Sequence, residues 1–231
     1  MLQNKIIVII GGTAGLGLAA AEACVKADAK VVVVGCKPEN VDAAQNLLGD
    51  SGYALQGDAT DSTTAYKAIE VANQKFGSFD GLCHVAGGSG RRMGDGPLHE
   101  ITDEGWDFTL NLNLTSAFYS NRAAVQQFQK QGTGGSVLNM GSVLGGSPSP
   151  KYFTTHAYAA TKAAIEGFTK SCAAYYAKDN IRFNAPGRRA NRTAKRPQKA
   201  VFDKLAACRY DGMPIRNRHY LFEISLPNHS P

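Results

Sequence analysis

Short apolar segments alternate with longer segments of helical periodicity along most of this 231-residue chain, and that alternation limits the fold more than any other feature. The apolar segments lie at residues 6–10, 31–35, 53–56, 81–85 and 136–140, and none contains a charged residue. Strands buried on both faces of a parallel sheet have this composition. The chain therefore contains at least five candidate parallel strands.

Helical periodicity fills the intervals between the apolar segments. Since each helix returns the chain to the same edge of the sheet, repeated strand–helix units predict an α/β fold with a doubly wound, Rossmann-type parallel sheet. We expect six strands and one dinucleotide-binding and catalytic domain, residues 1–187. The predicted helices cover residues 16–27, 39–48, 61–76, 103–129 and 156–177, and a sixth strand follows at 181–184.

Positive charge is concentrated at the end of the chain. Residues 185–231 contain ten Lys and Arg against three Asp and Glu, whereas the preceding residues contain 15 against 16. We interpret residues 188–231 as an atypical basic tail, part of the same domain or poorly ordered, with a helix at 200–209 and a strand at 220–226. Because the tail lacks interleaved aromatic residues and a docking motif, we predict no nucleic-acid partner.

The remaining bulk features predict a cytoplasmic protein. No apolar run approaches the roughly 20 residues of a membrane span, so we expect no membrane partner. The run at 6–10 ends in glycine, as a strand does, and does not resemble a signal peptide. The five cysteines include no C-x-x-C pair, which predicts reduced thiols and no metal site.

A glycine-rich turn, G-G-T-A-G-L-G at residues 11–17, joins the first strand to the first helix. Gly11 permits the sharp turn, Gly15 lets a pyrophosphate approach the backbone, and Gly17 allows close packing of helix on strand. The helix N-terminus favours an anion there. The turn predicts a dinucleotide site, although glycines alone would also suit a plain tight turn.

Residues at the ends of the next strands bear on the coenzyme. Lys37 follows the second strand, at the position where an acid would bind the ribose diol of NAD. A lysine there could bind a 2′-phosphate, which favours NADP over NAD, or it could be a solvated surface lysine. Asp58 could contact an adenine edge or cap the next helix. Ala86 and Gly87 are small enough for a coenzyme to lie against the backbone. His84 precedes them, and we interpret it as a hydrogen-bonded core histidine.

Tyr158 and Lys162 are four residues apart in a predicted helix and therefore share one face. Reduction of a carbonyl needs a proton donor beside the hydride acceptor. At about 5 Å and an effective dielectric constant of about 20, an ammonium stabilises a tyrosinate by roughly 3 kcal/mol. Ser142 follows the fifth strand and could hold the substrate oxygen at the carboxyl edge of the sheet. A surface Tyr–Lys pair would show the same spacing.

These motifs, in this order, resemble the single-domain short-chain dehydrogenases/reductases over about residues 4–187. The resemblance implies a catalytic tetrad of Asn113, Ser142, Tyr158 and Lys162. Asn113 would hold a water in a proton relay, and Ser142 would polarise the carbonyl. Tyr158 would transfer the proton as general acid/base, and Lys162 would assist it and bind the nicotinamide ribose.

The resemblance further implies a small-molecule ketone or secondary alcohol as substrate, a nicotinamide coenzyme, and a homo-oligomer. Its coenzyme-binding positions in this sequence are Gly11, Thr13, Gly15, Leu16, Gly17, Lys37, Asp58, Ala59, Ala86, Gly87, Tyr158, Lys162, Pro186 and Gly187.

The C-terminal part departs from the family pattern after about residue 185. Only Ala185 separates Asn184 from Pro186-Gly187, where the family has two more residues, and neither a substrate lid nor a seventh strand is recognisable afterwards. A change of reading frame near residue 185 would explain the shift in composition. The alternative function is therefore a catalytically impaired nucleotide-binding protein of the same fold.

Overall fold

A single parallel sheet organises the chain. The computed structural model describes residues 2–147 and 153–186. The strands run in the order β3-β2-β1-β4-β5-β6, which confirms the predicted α/β fold with a six-stranded, doubly wound parallel sheet. The strands are β1 (Ile6–Ile10), β2 (Lys30–Gly35), β3 (Gly52–Gln56), β4 (Gly81–His84), β5 (Gly135–Asn139) and β6 (Ile181–Asn184).

Six α-helices connect these strands in the described part of the chain. The helix predicted at 61–76 begins at Thr64, because Asp61 accepts hydrogen bonds from the amide and hydroxyl of Thr63 in a turn before it. The helices are α1 (Gly15–Val25), α2 (Pro38–Leu48), α3 (Thr64–Phe76), α4 (Asp103–Leu110), α5 (Ser116–Gln131) and α6 (His156–Tyr176).

The helix predicted at 103–129 runs continuously from Asp103 to Gln131, but it is not α-helical throughout. A π-helical turn, Asn111–Thr115, separates α4 from α5 and contains Asn113. Such turns insert an extra residue into a helix and occur often at functional sites. The periodicity of a sequence does not reveal them, because the apolar face is shifted by only one position.

Both faces of the sheet are covered around β1. Ile6, Val8 and Ile10 pack with α3 and α5, whereas Ile7 and Ile9 pack with α1 and α2. Adjacent strand residues point to opposite faces, so a strand covered on both sides needs apolar residues throughout. This explains why the strands are recognisable as uncharged runs. Among the described helices none is long and apolar enough to cross a membrane.

The strand order indicates where a ligand would bind. β1 lies between β2 and β4, so the connections leave it in opposite directions, and a crevice opens at the carboxyl ends of β1 and β4. Ligands of open α/β sheets bind at such a switch point. The predicted helix at 200–209, the predicted strand at 220–226, the rest of the proposed tail and Gly187 lie outside the described residues.

Candidate active site

The glycine turn closes tightly against the end of β4. Gly11 has φ +82°, and a Cβ there would lie 2.6 Å from the amide nitrogen of Ala86. The amides of Gly11 and Gly12 both donate to the carbonyl of Val34 at 2.9 Å. A Cβ on Gly17 would overlap the carbonyl oxygen of Gly11. Small residues are therefore required on both sides of this contact.

Gly15 is the open point of the turn. It has φ +53°, it is exposed, and a Cβ there would meet no atom within 4 Å. Gly15 begins α1, whose N-cap residue Ala14 forms no side-chain capping hydrogen bond. Leu16 beside it is also exposed. The amino end of α1 is thus accessible to an anionic group, which free helix N–H groups and the helix dipole attract.

The other predicted coenzyme residues differ in accessibility. Thr13 is buried, and its hydroxyl packs directly against Gly35. Lys37 is exposed at the N-cap of α2. Asp58 is exposed, and its Oδ1 accepts hydrogen bonds from the amide and hydroxyl of Thr60 at 2.8 Å. Asp58 therefore stabilises a local turn, while Asp61 caps the turn that leads into α3. Ala59, Ala86 and Pro186 are partly buried.

The side chain of Asn113 is completely enclosed. Its Nδ2 donates to the carbonyls of Gly88 and Thr109 at 2.9 Å, and its Oδ1 accepts from the amide of Gly88 at 3.1 Å. A Cβ on Gly87 would lie 2.6 Å from the same Oδ1. The amide of Asn113 therefore holds the loop after β4, and its polar atoms are already hydrogen-bonded.

Tyr158 and Lys162 lie in the first two turns of α6, as predicted from their spacing. The Nζ of Lys162 lies 5.7 Å from the ring centroid of Tyr158 and donates to the carbonyl of Met140 at 3.0 Å. Lys162 is only 3% exposed, and burial lowers its pKa to about 8. Tyr158 is half-buried. The ammonium of Lys162 and the ring of Tyr158 therefore lie on the same face of α6.

Ser142 follows β5 at the N-cap of a short 3₁₀ turn, Val143–Gly145. Its Oγ accepts a hydrogen bond from the amide of Leu144 at 3.2 Å, which leaves its hydroxyl proton available as a donor. A Cβ on Gly145 would lie 2.8 Å from the amide nitrogen of Ala163, so this turn packs closely on α6. The carboxyl ends of β4 and β5 thus bring all four predicted tetrad residues into one region.

His84 belongs to the core, as predicted. It is 1% exposed, with Nδ1 2.8 Å from the hydroxyl of Ser120 and Nε2 3.3 Å from that of Ser116. Burial, together with the charge of Lys162, lowers the pKa of His84 to about 3. The imidazole is therefore neutral and acts as a hydrogen-bonding partner of α5.

Asp95 is a functional candidate that the sequence did not reveal. Its carboxylate is buried and accepts hydrogen bonds from the main-chain amides of Ala157 and Tyr158. An aspartate that caps a helix usually precedes it directly. Asp95 precedes α6 by more than 60 residues, so no local spacing could have indicated this contact.

The model of the short chain dehydrogenase family matches residues 5–195. The 2-(S)-hydroxypropyl-CoM dehydrogenase 3 of Xanthobacter autotrophicus is 34% identical over 187 residues, covering 80% of this chain and 70% of that protein. The 3-oxoacyl-(acyl-carrier-protein) reductase of Haemophilus influenzae is 32% identical over 188 residues, covering 80% and 74%. The solved 3-ketoacyl-(acyl-carrier-protein) reductase of Brucella melitensis, complexed with NADH, has a TM-score of 0.73 at 26% identity, covering 81% of this chain and 77% of that one.

The chain therefore belongs to the short-chain dehydrogenase/reductase family, and the predicted resemblance is confirmed. It is an NAD(P)-dependent oxidoreductase that acts on a small-molecule substrate. The roles of the individual tetrad and coenzyme residues, and the preference for NADP, stay predictions.

Proposed function

We propose that this protein transfers a hydride between NADP and a ketone or secondary alcohol, with Tyr158 as general acid/base. The observation that carries the proposal is the buried Lys162 ammonium, 5.7 Å from the ring centroid of Tyr158. Burying a cation is unfavourable, and here desolvation lowers its pKa to about 8. Such an arrangement is typical of sites where a nearby group exchanges a proton.

The glycine turn fits a dinucleotide. Backbone is exposed at Gly15, and at Gly11 a Cβ would clash with Ala86, so the floor of the crevice consists of main chain and small residues. A pyrophosphate would lie on the amino end of α1, and the nicotinamide would extend toward Gly87 and Lys162. When bound, the coenzyme supplies or accepts the hydride. The exposed Lys37 and the absence of an acid directly after β2 favour a 2′-phosphate, hence NADP.

The protein's own groups account for the proton. In the reduction, the hydroxyl of Ser142 donates a hydrogen bond to the carbonyl oxygen, and Tyr158 delivers its phenolic proton to that oxygen. Lys162 stabilises the tyrosinate that remains. Because the amide of Asn113 is occupied by Gly88 and Thr109, any relay at this point would use the main chain of the π-helical turn or a water held by it. Residues 1–187 would supply all of these groups.

The test is coenzyme-linked turnover of a panel of ketones and secondary alcohols, with Tyr158→Phe compared with wild type. Loss of the proton donor should lower kcat by about 10² to 10⁴ while coenzyme affinity is retained. Tyr175→Phe is the matched control, because Tyr175 lies on the same helix, is exposed, and has the Nζ of Lys178 4.8 Å from its ring centroid.

The control variant should turn over at the wild-type rate. Near-wild-type turnover in Tyr158→Phe would exclude Tyr158 as the proton donor. Binding of NADPH by the wild-type protein without turnover of any compound in the panel would favour the alternative, a catalytically impaired nucleotide-binding protein.

A further inference from the structure

A buried carboxylate lies at the amino end of helix α6. Asp95, in the connection between β4 and α4, is 2% exposed. Its Oδ1 accepts a hydrogen bond from the amide of Ala157, and its Oδ2 accepts one from the amide of Tyr158, both at 3.0 Å. The first N–H groups of a helix lack acceptors within the helix, so Asp95 satisfies two of them. Its negative charge also interacts favourably with the helix dipole.

The loop that carries Asp95 is itself fixed in place. The carbonyl of Gly90 accepts hydrogen bonds from the amides of Met93 at 2.7 Å and Asp95 at 3.1 Å. Gly90 packs so closely on Thr109 that an added Cβ would overlap the threonine hydroxyl. Thr109 is buried in α4, so the loop lies directly on that helix. Asp95 is therefore held at a defined position relative to α4.

The same loop holds a second member of the predicted tetrad. Near its start, the amide and carbonyl of Gly88 are both hydrogen-bonded to the side chain of Asn113. Near its end, Asp95 binds the main-chain amide of Tyr158. The connection between β4 and α4 thus joins the π-helical turn to the first turn of α6. This segment therefore links Asn113 to Tyr158 by hydrogen bonds, in addition to the direct packing of α6 on α4 and on the π-helical turn.

We propose that Asp95 is a positioning residue for the reaction: it fixes the main chain of Tyr158 so that the phenol meets the substrate oxygen in the correct geometry. The proposal rests on the role of Tyr158 in the proposed function. A displacement of about 1 Å in a reacting group can cost on the order of 10² in rate. Loss of either hydrogen bond releases the first turn of α6 at the residue that carries the phenol.

The kinetic test compares Asp95→Asn and Asp95→Ala with wild type. Asn keeps one acceptor and Ala keeps none, so kcat should fall by about 10-fold in Asp95→Asn and about 100-fold in Asp95→Ala, with the KM for coenzyme unchanged. The control is Asp80→Asn. Asp80 also accepts a main-chain amide hydrogen bond, from Ile6 at 3.0 Å, but at the amino edge of the sheet. Asp80→Asn should lower Tm without lowering kcat.

A second readout does not depend on turnover. In protein labelled with tyrosine at the ring carbon Cζ, the NMR resonance of Tyr158 is identified by its loss in Tyr158→Phe. It should shift in both Asp95 variants and stay in place in Asp80→Asn. If the protein turns over none of the ketones and secondary alcohols, that result counts against the proposed function alone, because the NMR readout still tests the role of Asp95. If Asp95→Ala does not fold, Asp95→Asn decides.

The expected result is a fall in kcat and a shifted Tyr158 resonance in Asp95→Asn. An unchanged kcat in that variant would overturn the proposal. If no substrate is turned over, an unchanged Tyr158 resonance would overturn the proposal equally. A lower Tm with unchanged kcat and resonance would show that Asp95 is a stabilising cap with no part in positioning.

Discussion

The coenzyme side and the catalytic side of the crevice are built in different ways. On the coenzyme side, the turn at residues 11–17 relies on glycines and on main-chain contacts with the ends of β2 and β4. On the catalytic side, side chains bind main-chain groups far away in the sequence. Lys162 binds Met140, Asn113 binds Gly88, and Asp95 binds Tyr158, over 22, 25 and 63 residues.

This difference implies two kinds of vulnerability. A substitution in the glycine turn acts by filling space that a ligand or a neighbouring backbone needs. A substitution on the catalytic side acts by leaving a buried polar group without its partner, which costs about 1–3 kcal/mol and moves the group. Coenzyme binding and catalysis should therefore be separable by mutation.

On coenzyme binding, the largest effect is expected for Gly15→Asp. Aspartate tolerates a positive φ better than most residues, and the structure has room for its Cβ, so the fold should survive. A carboxylate about 5 Å from a pyrophosphate costs about 3 kcal/mol, which weakens NADPH binding about a hundredfold. Titration of nucleotide fluorescence measures the affinity for NADPH.

The control is Gly77→Asp at the end of α3, because Gly77 also has a positive φ and free space around an added Cβ. Equal affinity of Gly15→Asp and wild type would contradict the placement of the coenzyme.

A smaller effect concerns the buried charge of Lys162. Burial depresses its pKa to about 8, so below that pH the folded protein contains an unfavourably buried cation. In the unfolded chain this lysine has a pKa of about 10.4 and therefore stays protonated while the folded protein releases its proton. The free-energy penalty for burying the cation consequently decreases as pH rises through 8. From pH 7 to 9.5, wild type should gain about 2 kcal/mol of stability relative to Lys162→Met.

Urea unfolding of both proteins across that pH range gives the difference directly. Burial raises the pKa of the Cys24 and Cys83 thiols, but these groups are present in both proteins. Their contributions to the pH dependence of stability therefore cancel in the comparison. A difference in unfolding free energy that does not vary with pH would show that Lys162 keeps an ordinary pKa.

The smallest effect is expected for Lys37→Asp. It replaces an exposed phosphate partner with a diol acceptor, and should change the ratio of NADPH to NADH affinity about tenfold in favour of NADH. Lys130→Asp, at the exposed end of α5, is the control and should leave the ratio unchanged. Severalfold preference of the wild-type protein for NADH would show the NADP assignment to be wrong.

Sequence alone was sufficient where structure depends on neighbours along the chain. β1 and β6 have the predicted bounds, β2, β3 and β4 differ from prediction by one residue at one end, and β5 differs by one residue at each end. The agreement is close because buried strands are apolar throughout. The Tyr158–Lys162 pair follows from helical spacing. The π-helical turn around Asn113 and the contact of Asp95 with α6 could not be predicted. Both depend on packing between segments that are distant in sequence, which local propensity does not encode.

The separation of coenzyme binding from catalysis is tested by a side-by-side titration of NADPH with wild type, Asp95→Asn and Gly15→Asp. Asp95→Asn should bind NADPH with wild-type affinity, because the change lies on the catalytic side, and the affinity of Gly15→Asp should fall about a hundredfold. Failure of the wild-type protein to bind either NADPH or NADH, or loss of affinity in Asp95→Asn as large as that in Gly15→Asp, would contradict this prediction.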